Sequence, residues 1–148
     1  MSLIDNKKAG FNYEILEKFE AGLELFGFEV KSIRAKHGSL EGSYVILRNG
    51  EAFLVNSSIP PYQVENTPKE YDPYRVRKLL LNKKEINTLS DSENTKGLTI
   101  VPLSLYNKGT KIKVSIAIAR GKKKADKRET IKKRDTDREI RRTLKEGK

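Results

Sequence analysis

The chain has no cysteine, no tryptophan and one histidine, His37, in 148 residues. Absence of cysteine rules out structural disulfides, thiolate nucleophiles and sulfur-ligated zinc. A lone histidine rules out a histidine-built metal cage or a catalytic histidine pair. No cofactor is expected. This usage fits a reducing compartment. No run approaches the ~18 apolar residues of a membrane span, and residues 1–8 lack the apolar stretch of a secretory signal. A soluble, cytoplasmic protein without membrane contact is expected. The length suits one domain, large enough to bury about two thirds of its surface.

Charge is abundant and unevenly placed. The net charge is +11, from 31 Lys and Arg against 20 Asp and Glu. Residues 120–148 hold 14 cations against 6 acids, a net +8, whereas residues 1–119 hold 17 against 14, a net +3. Ala125, Ile131, Ile140 and Leu144 are the only apolar side chains of that last segment. They are too few to offset its ordering entropy, so a body over 1–119 and a basic tail over 120–148 are expected, the tail disordered or partly helical by itself. Wound as a helix, the tail aligns Lys127, Arg134, Arg138, Arg141 and Lys145 in one stripe, with Lys124 and Arg142 at its edge. Asp137 with Arg141 and Glu129 with Lys133 are acid-first pairs at i,i+4, the favourable order. Ile131 and Ile140 fall on opposite sides, which argues against a coiled coil or a membrane-surface helix. A one-sided cationic stripe suits a phosphate backbone.

The body reads mainly as short strands. Residues 42–48 and 51–55 flank Asn49-Gly50, the strongest short hairpin signal. A second hairpin runs from Leu98 to Tyr106, turns at Asn107-Lys108-Gly109 and returns over Lys111 to Ala119, with Ile112, Val114, Ile116 and Ile118 inward and Lys111, Lys113 and Ser115 outward. An opening strand covers about Asn12 to Phe19, with Tyr13, Ile15 and Phe19 on one side. Asp72-Pro73 reads as an N-cap with proline in the first turn, and Asn82 with Glu85 as a capping box opening a helix through Ile86 and Leu89. Glu20 to about Ile33, interrupted by Gly22 and Gly27, fits a helix or a bent strand. Ile59 to Pro68 reads as a surface loop. Five or more antiparallel strands with inserted short helices suggest a small closed barrel of the oligonucleotide-binding (OB) type, with a sandwich as competitor.

Motifs for catalysis are missing. Gly121-Lys122-Lys123-Lys124 lacks the first glycine and the hydroxyl residue of a phosphate-binding P-loop, and there is no nucleophile elbow. Glu20, Glu24 and Glu29 are close in sequence, but nothing fixes a pair for acid–base work. His37 lies in a polar turn. These features point to a binding protein.

Several stretches together resemble the small protein B (SmpB) family, the SsrA-binding proteins of trans-translation. They are Asn6-Lys7-Lys8-Ala9, Tyr13-Glu14-Ile15, Phe19 to Leu23, Gly27 to Arg34, Asn49 to Ala52, Asp72-Pro73, Arg77 to Asn82, Val101-Pro102-Leu103, Leu105-Tyr106, and Ala119 to Lys123 with Asp126 to Glu129. The resemblance covers about positions 5 to 135, in order. It implies an OB-type barrel, not an enzyme, that binds the tRNA-like domain of transfer-messenger RNA (tmRNA) and carries it to stalled ribosomes; a monomer is expected. It further implies that the tail works in the empty mRNA channel, against small-subunit ribosomal RNA near the decoding centre.

Carried over by position, the tmRNA-contacting group is Asn6, Lys7, Lys8, Tyr13, Glu20, Lys31, Ser32, Arg34, Leu80 and Asn82. The ribosome-facing group is Gly121, Lys122, Lys123, Lys124, Asp126, Lys127 and Arg128, joined by Arg134, Arg138 and Arg141 of the stripe. Structural alternatives stand beside these roles. Tyr13 serves the core or stacks on a splayed base; Glu20 contacts RNA or holds a neighbouring cation; Leu80 packs; Asn82 caps. Ala125 stands where the family often carries a histidine or aromatic before Asp-Lys-Arg, which shifts the burden to Lys124, Lys127 and Arg128. The Lys36-His37-Gly38 loop departs from the family pattern, and His37 receives no role. Two other classes compete: a generic OB single-strand binder or ribosome-assembly protein, and an RNA-processing enzyme with Glu20 or Glu29 as base.

Overall fold

The computed structural model describes residues 2–63, 65 and 67–122. In chain order these form β1 (Ser2–Asp5), α1 (Ala9–Asn12), β2 (Tyr13–Leu23), α2 (Gly27–Arg34), β3 (Tyr44–Arg48), β4 (Glu51–Val55), β5 (Arg77–Leu80), α3 (Lys83–Glu93), β6 (Leu98–Lys108) and β7 (Lys111–Gly121). The tail stripe and its tail-borne candidates from Lys123 onward lie outside the described residues.

Both expected hairpins form. Asn49 and Gly50 take φ of 54° and 74°, the left-handed pair of a type I′ turn, and set Arg48 opposite Glu51. The second hairpin is longer than its alternation suggested: β6 runs through Lys108, and β7 continues through Arg120 and Gly121. Asn82 opens α3 as a capping box, its side chain accepting from Glu85 N–H at 2.8 Å. Asp72-Pro73 does not open a helix. It forms one turn, in which Asp72 Oδ1 accepts from Tyr74 N–H at 2.9 Å, and the chain then extends into β5. The ambiguous stretch after Glu20 divides: β2 continues to Leu23 and α2 starts at Gly27. Ile59, at the head of the expected surface loop, is buried.

All seven strands join one antiparallel sheet in the order β1-β6-β7-β2-β5-β4-β3. The sheet curls until β3 comes near β6, but no ladder among the described residues joins them, so backbone pairing does not close the expected barrel. The reason lies at the end of α3. Glu93 accepts from the Leu47 N–H at 2.7 Å and from Arg48 Nη1 at 3.0 Å, occupying the edge amide that a neighbouring strand would have taken.

Ile112, Val114, Ile116 and Ile118 face a core that includes Ala21, Ile33, Leu54, Leu79, Leu89, Ile100 and Leu105. Each fully buried Leu or Ile contributes about 1.5–3 kcal/mol. A smaller cluster on the other face joins Ala9, Val101 and Ala119 with Tyr13, Ile15 and Leu103. The two faces are connected by a bulge. Ile15 pairs with Ala119 but Glu17 pairs with Ile118, which leaves Leu16 as an extra residue. One extra residue inverts the alternation, so Phe19 packs into the main core while Tyr13 and Ile15 lie on the outer face, not beside it as the sequence pattern suggests.

A buried ion pair holds α2 to β5. Arg77 and Glu29 are each 0 % exposed. Arg77 Nε and Nη2 donate to Glu29 Oε2 at 2.9 and 2.7 Å. Its remaining donors reach Ser57, Pro73, Arg75 and Tyr71. Glu29 also accepts from Phe26 N–H at 2.8 Å, closing the first turn of α2, and from Arg75. Burial alone raises the Glu29 pKa, but Arg75, the Phe26 N–H and Arg77 outweigh it and hold the carboxyl below its ordinary range. Burial and the adjoining carboxylate push the Tyr71 phenol up to about 12.

Glu29→Gln leaves Arg77 charged, buried and unpaired, an expected loss of about 3–5 kcal/mol. Thermal melts should show a transition at least roughly 10 °C lower, or no cooperative transition. Because the folded pKa of Glu29 is depressed, its contribution is complete above the unfolded value near 4.5 and disappears as pH falls through the folded value. The acid-induced loss of stability below about pH 4.5 should therefore be smaller in Glu29→Gln than in the wild type.

Candidate nucleic-acid interface

Tyr13 and Glu20 stand on the outer face of β2, and most of the other residues expected to meet RNA fall into two groups near its two ends. The first surrounds α1. Asn6 leaves β1, where its N–H and Nδ2 donate to the carbonyls of Leu103 and Pro102 at 2.8 and 2.9 Å, pinning it at the bulge in β6. Lys7 is exposed, and Lys8 pairs with Glu41 at 2.6 Å with both side chains largely in solvent. Tyr13 is half-buried against the cluster of Ala9, Val101 and Ala119. Asn6, Lys8 and Tyr13 line one cleft of about 380 Å³, together with Asn12, Glu41 and Tyr44. Gly121 pairs with Tyr13, while Lys122 N–H donates to Asn12 O at 2.9 Å, so the root of the tail lies beside this cleft.

The second group lies about seven residues along β2, roughly 20 Å away at strand rise. Glu20 accepts from Tyr106 O–H at 2.5 Å and from Lys108 Nζ at 2.8 Å. The Lys108 hydrogen bond, then that of Tyr106, hold the Glu20 pKa below its ordinary value, so it is a carboxylate at neutral pH. Burial and this carboxylate push the Tyr106 phenol up to about 12. Of the two roles open to Glu20, the geometry supplies the positioning one. Leu80 is 51 % exposed, not packed away, and sits opposite Gly22, where an added Cβ would come within 3.1 Å of the Leu80 Cβ. A side chain at position 22 would push Leu80 aside by a few tenths of an ångström; Gly22 and Leu80 border a groove of about 310 Å³ that Lys111 and Lys113 also line.

Arg34, at the end of α2, donates to Asn107 Oδ1 at 3.3 Å and Thr110 O at 2.8 Å, fastening the β6–β7 turn, and Lys31 is exposed one turn earlier. Arg34 thus meets the turn between Lys108 and Lys111, and Lys108 and Lys113 act on the Glu20 carboxylate, so several cations gather at this end. Among the described residues Lys111 and Lys113 form no ion pair. Such a cluster can neutralise several phosphates. Two candidates are placed otherwise: Ser32 is fully buried with its hydroxyl 3.5 Å from His37 O, and Asn82 caps α3. Tyr44, Tyr106, Lys108, Lys111 and Lys113 were not among the sequence candidates, although the outward alternation of Lys111 and Lys113 marked a basic stripe. No helix among the described residues is long and apolar enough to cross a membrane.

A family model described as SmpB protein matches residues 3–146. An SsrA-binding protein of Gloeothece citriformis is 52% identical over 143 residues, 97% of this chain and 92% of the relative. The SsrA-binding protein of Mesoplasma florum is 53% identical over 140 residues, 95% and 94% of the two chains. That of Burkholderia vietnamiensis is 48% identical over 147 residues, 99% of each. Among solved structures, a chain from "tmRNA-SmpB: a journey to the center of the bacterial ribosome" aligns with a TM-score of 0.70 at 43% identity, over 84% of this chain and 87% of that one.

Glu20→Gln tests the positioning role. It should leave the fold intact and lower the Tyr106 phenol from about 12 part of the way towards its ordinary 10, read by absorbance titration. Affinity for unrelated duplex RNA should rise, with a salt slope steeper by about one phosphate contact. An unchanged phenol titration contradicts the assignment.

Proposed function

The chain belongs to the SmpB protein family, and on that premise we propose that it binds tmRNA and brings it to ribosomes stalled in translation. The carrying observation is the family match across residues 3–146, supported by relatives near 50% identity over almost their whole length. The body reads RNA shape: cations at both ends of the β2 outer face contact phosphates, and side chains between them fix the register. Glu20 orients Lys108 and Tyr106 for that contact, Arg34 holds the β6–β7 turn beside Leu80, and Lys7, Lys8 and Lys31 supply further charge. Ser32 supports from beneath, and Asn82 holds the start of α3. The curled sheet serves as an OB-type platform, and the protein acts in the cytoplasm as a binder without catalysis.

Residues 123–148 act separately in this reading. The tail brings Lys123, Lys124, Asp126, Lys127 and Arg128, with Arg134, Arg138 and Arg141, to small-subunit ribosomal RNA in the empty mRNA channel, and folds there against the phosphate backbone. Ala125 offers no ring to stack, so these cations carry the contact.

A salt-controlled titration compares tmRNA with an unrelated duplex of equal length, and equal affinities contradict tmRNA recognition. Because β7 extends to Gly121 and Lys122 is bonded to Asn12, the tail is best removed after Lys122. The truncated protein should retain tmRNA affinity within about threefold at moderate salt while losing peptide tagging on stalled ribosomes. Normal tagging by the truncated protein contradicts the division of roles.

A further inference from the structure

We propose that the cleft between α1 and β3 receives one unstacked nucleotide of the bound RNA, with Tyr44 as the surface on which its base lies. The inference rests on the RNA-binding reading above and adds a residue and a ligand form to it. Tyr44 stands on edge strand β3, 42 % exposed, and borders the cleft together with Tyr13. Neither tyrosine hydroxyl has a hydrogen-bond partner among the described residues, and the Asn12 side-chain amide has none either. An aromatic ring with idle donors and acceptors around it is the combination that recognises a splayed base, by stacking and by hydrogen bonds to its edge. At about 380 Å³ the cleft is of small-ligand size, too small for a helix or a duplex segment.

The rim supplies the phosphate contact. Lys8 is held there by Glu41 at 2.6 Å, but both side chains are more than 60% exposed, 65% and 61%. An exposed pair of this kind contributes only about 0–1 kcal/mol, so an arriving phosphate can take Lys8 from Glu41. Lys122, whose Nζ donates to Gly10 O at 3.1 Å, brings a second cation to the same side through α1. The base therefore enters towards Tyr44 and its phosphate remains at the rim, near the root of the tail. That position lets the nucleotide come from tmRNA or from small-subunit ribosomal RNA; the chemistry is the same, and the experiment separates the two.

Wild type, Tyr44→Phe, Tyr44→Leu and Tyr44→Ala are titrated at one salt concentration against the tRNA-like domain of tmRNA and against small ribosomal subunits without message. Tyr44→Leu keeps an apolar strand residue and removes the ring, which guards against loss of fold in the alanine variant; melting temperatures check both. Tyr44→Leu should lose roughly 5- to 150-fold on one of the two RNAs, the worth of one stacked base. Tyr44→Phe should remain near wild type, and the salt slope of Tyr44→Leu should not change, because stacking releases no counterions. The RNA on which the loss occurs is the source of the nucleotide. Wild-type affinity of Tyr44→Leu for both RNAs overturns the inference and leaves tmRNA recognition standing, whereas failure of the wild type to prefer tmRNA over an unrelated duplex overturns that reading instead.

Discussion

Glu29 and Arg77 are buried with their charges, and the body can close around them only if every donor and acceptor is answered. It does so: no buried side-chain nitrogen or oxygen among the described residues lacks a partner. A pair of this kind contributes little net stability over an apolar substitute, but its disruption is costly, so it specifies one arrangement of the elements that meet there. Those elements are the first turn of α2, the start of β5, and the connections carrying Ser57, Ile59, Tyr71 and Pro73. With α2 fixed at its N-terminus, Arg34 at its C-terminus reaches the β6–β7 turn. The turn in turn holds Lys108 against Glu20 and Lys111 in the groove beside Lys113. The polar interior thus sets the position of a cationic surface on the other side of the fold.

That surface is organised by bulges. The extra residue at Leu16 places Tyr13 and Glu20 on the same outer face, seven positions apart, while Phe19 stays in the core. A second irregularity after Pro102 gives Asn6 a pair of carbonyls to hold. The face therefore offers a cleft beside α1 at one end and a charged plaque at the other, with small side chains such as Ala117 and Ala119 between. In the proposed reading a bent RNA spans the two ends, and the spacing between them selects on shape, which charge alone does not.

Much of this was legible in the sequence. Asn49-Gly50, the alternation from Lys111 to Ala119 and the Asn82–Glu85 box each carry their geometry in a few neighbouring residues, and each formed as expected. Features decided by distant partners were not legible. α2 is capped by Phe26, which offers no side-chain acceptor, and is completed by Glu29 reaching back. The Asp72-Pro73 turn stops short of a helix because Arg77, four residues on, is drawn into β5 by Glu29. Nothing local marks the bulge at Leu16, and Glu93 leaves the sheet unclosed from 46 residues beyond Leu47. The candidate site divides in the same way: Glu20, Arg34 and Lys8 stand out in the sequence as charged residues, but their partners Lys108, Thr110 and Glu41 are set by topology.

The claim that the buried pair governs the body is tested most directly by native-state hydrogen exchange. If it holds, the amides of Val30, Ala35 and the β5 residues exchange only through global unfolding, with the same protection as Val114 and Ile116 in β7. Exchange of α2 and β5 by a separate low-energy opening, while β6 and β7 remain protected, would contradict it.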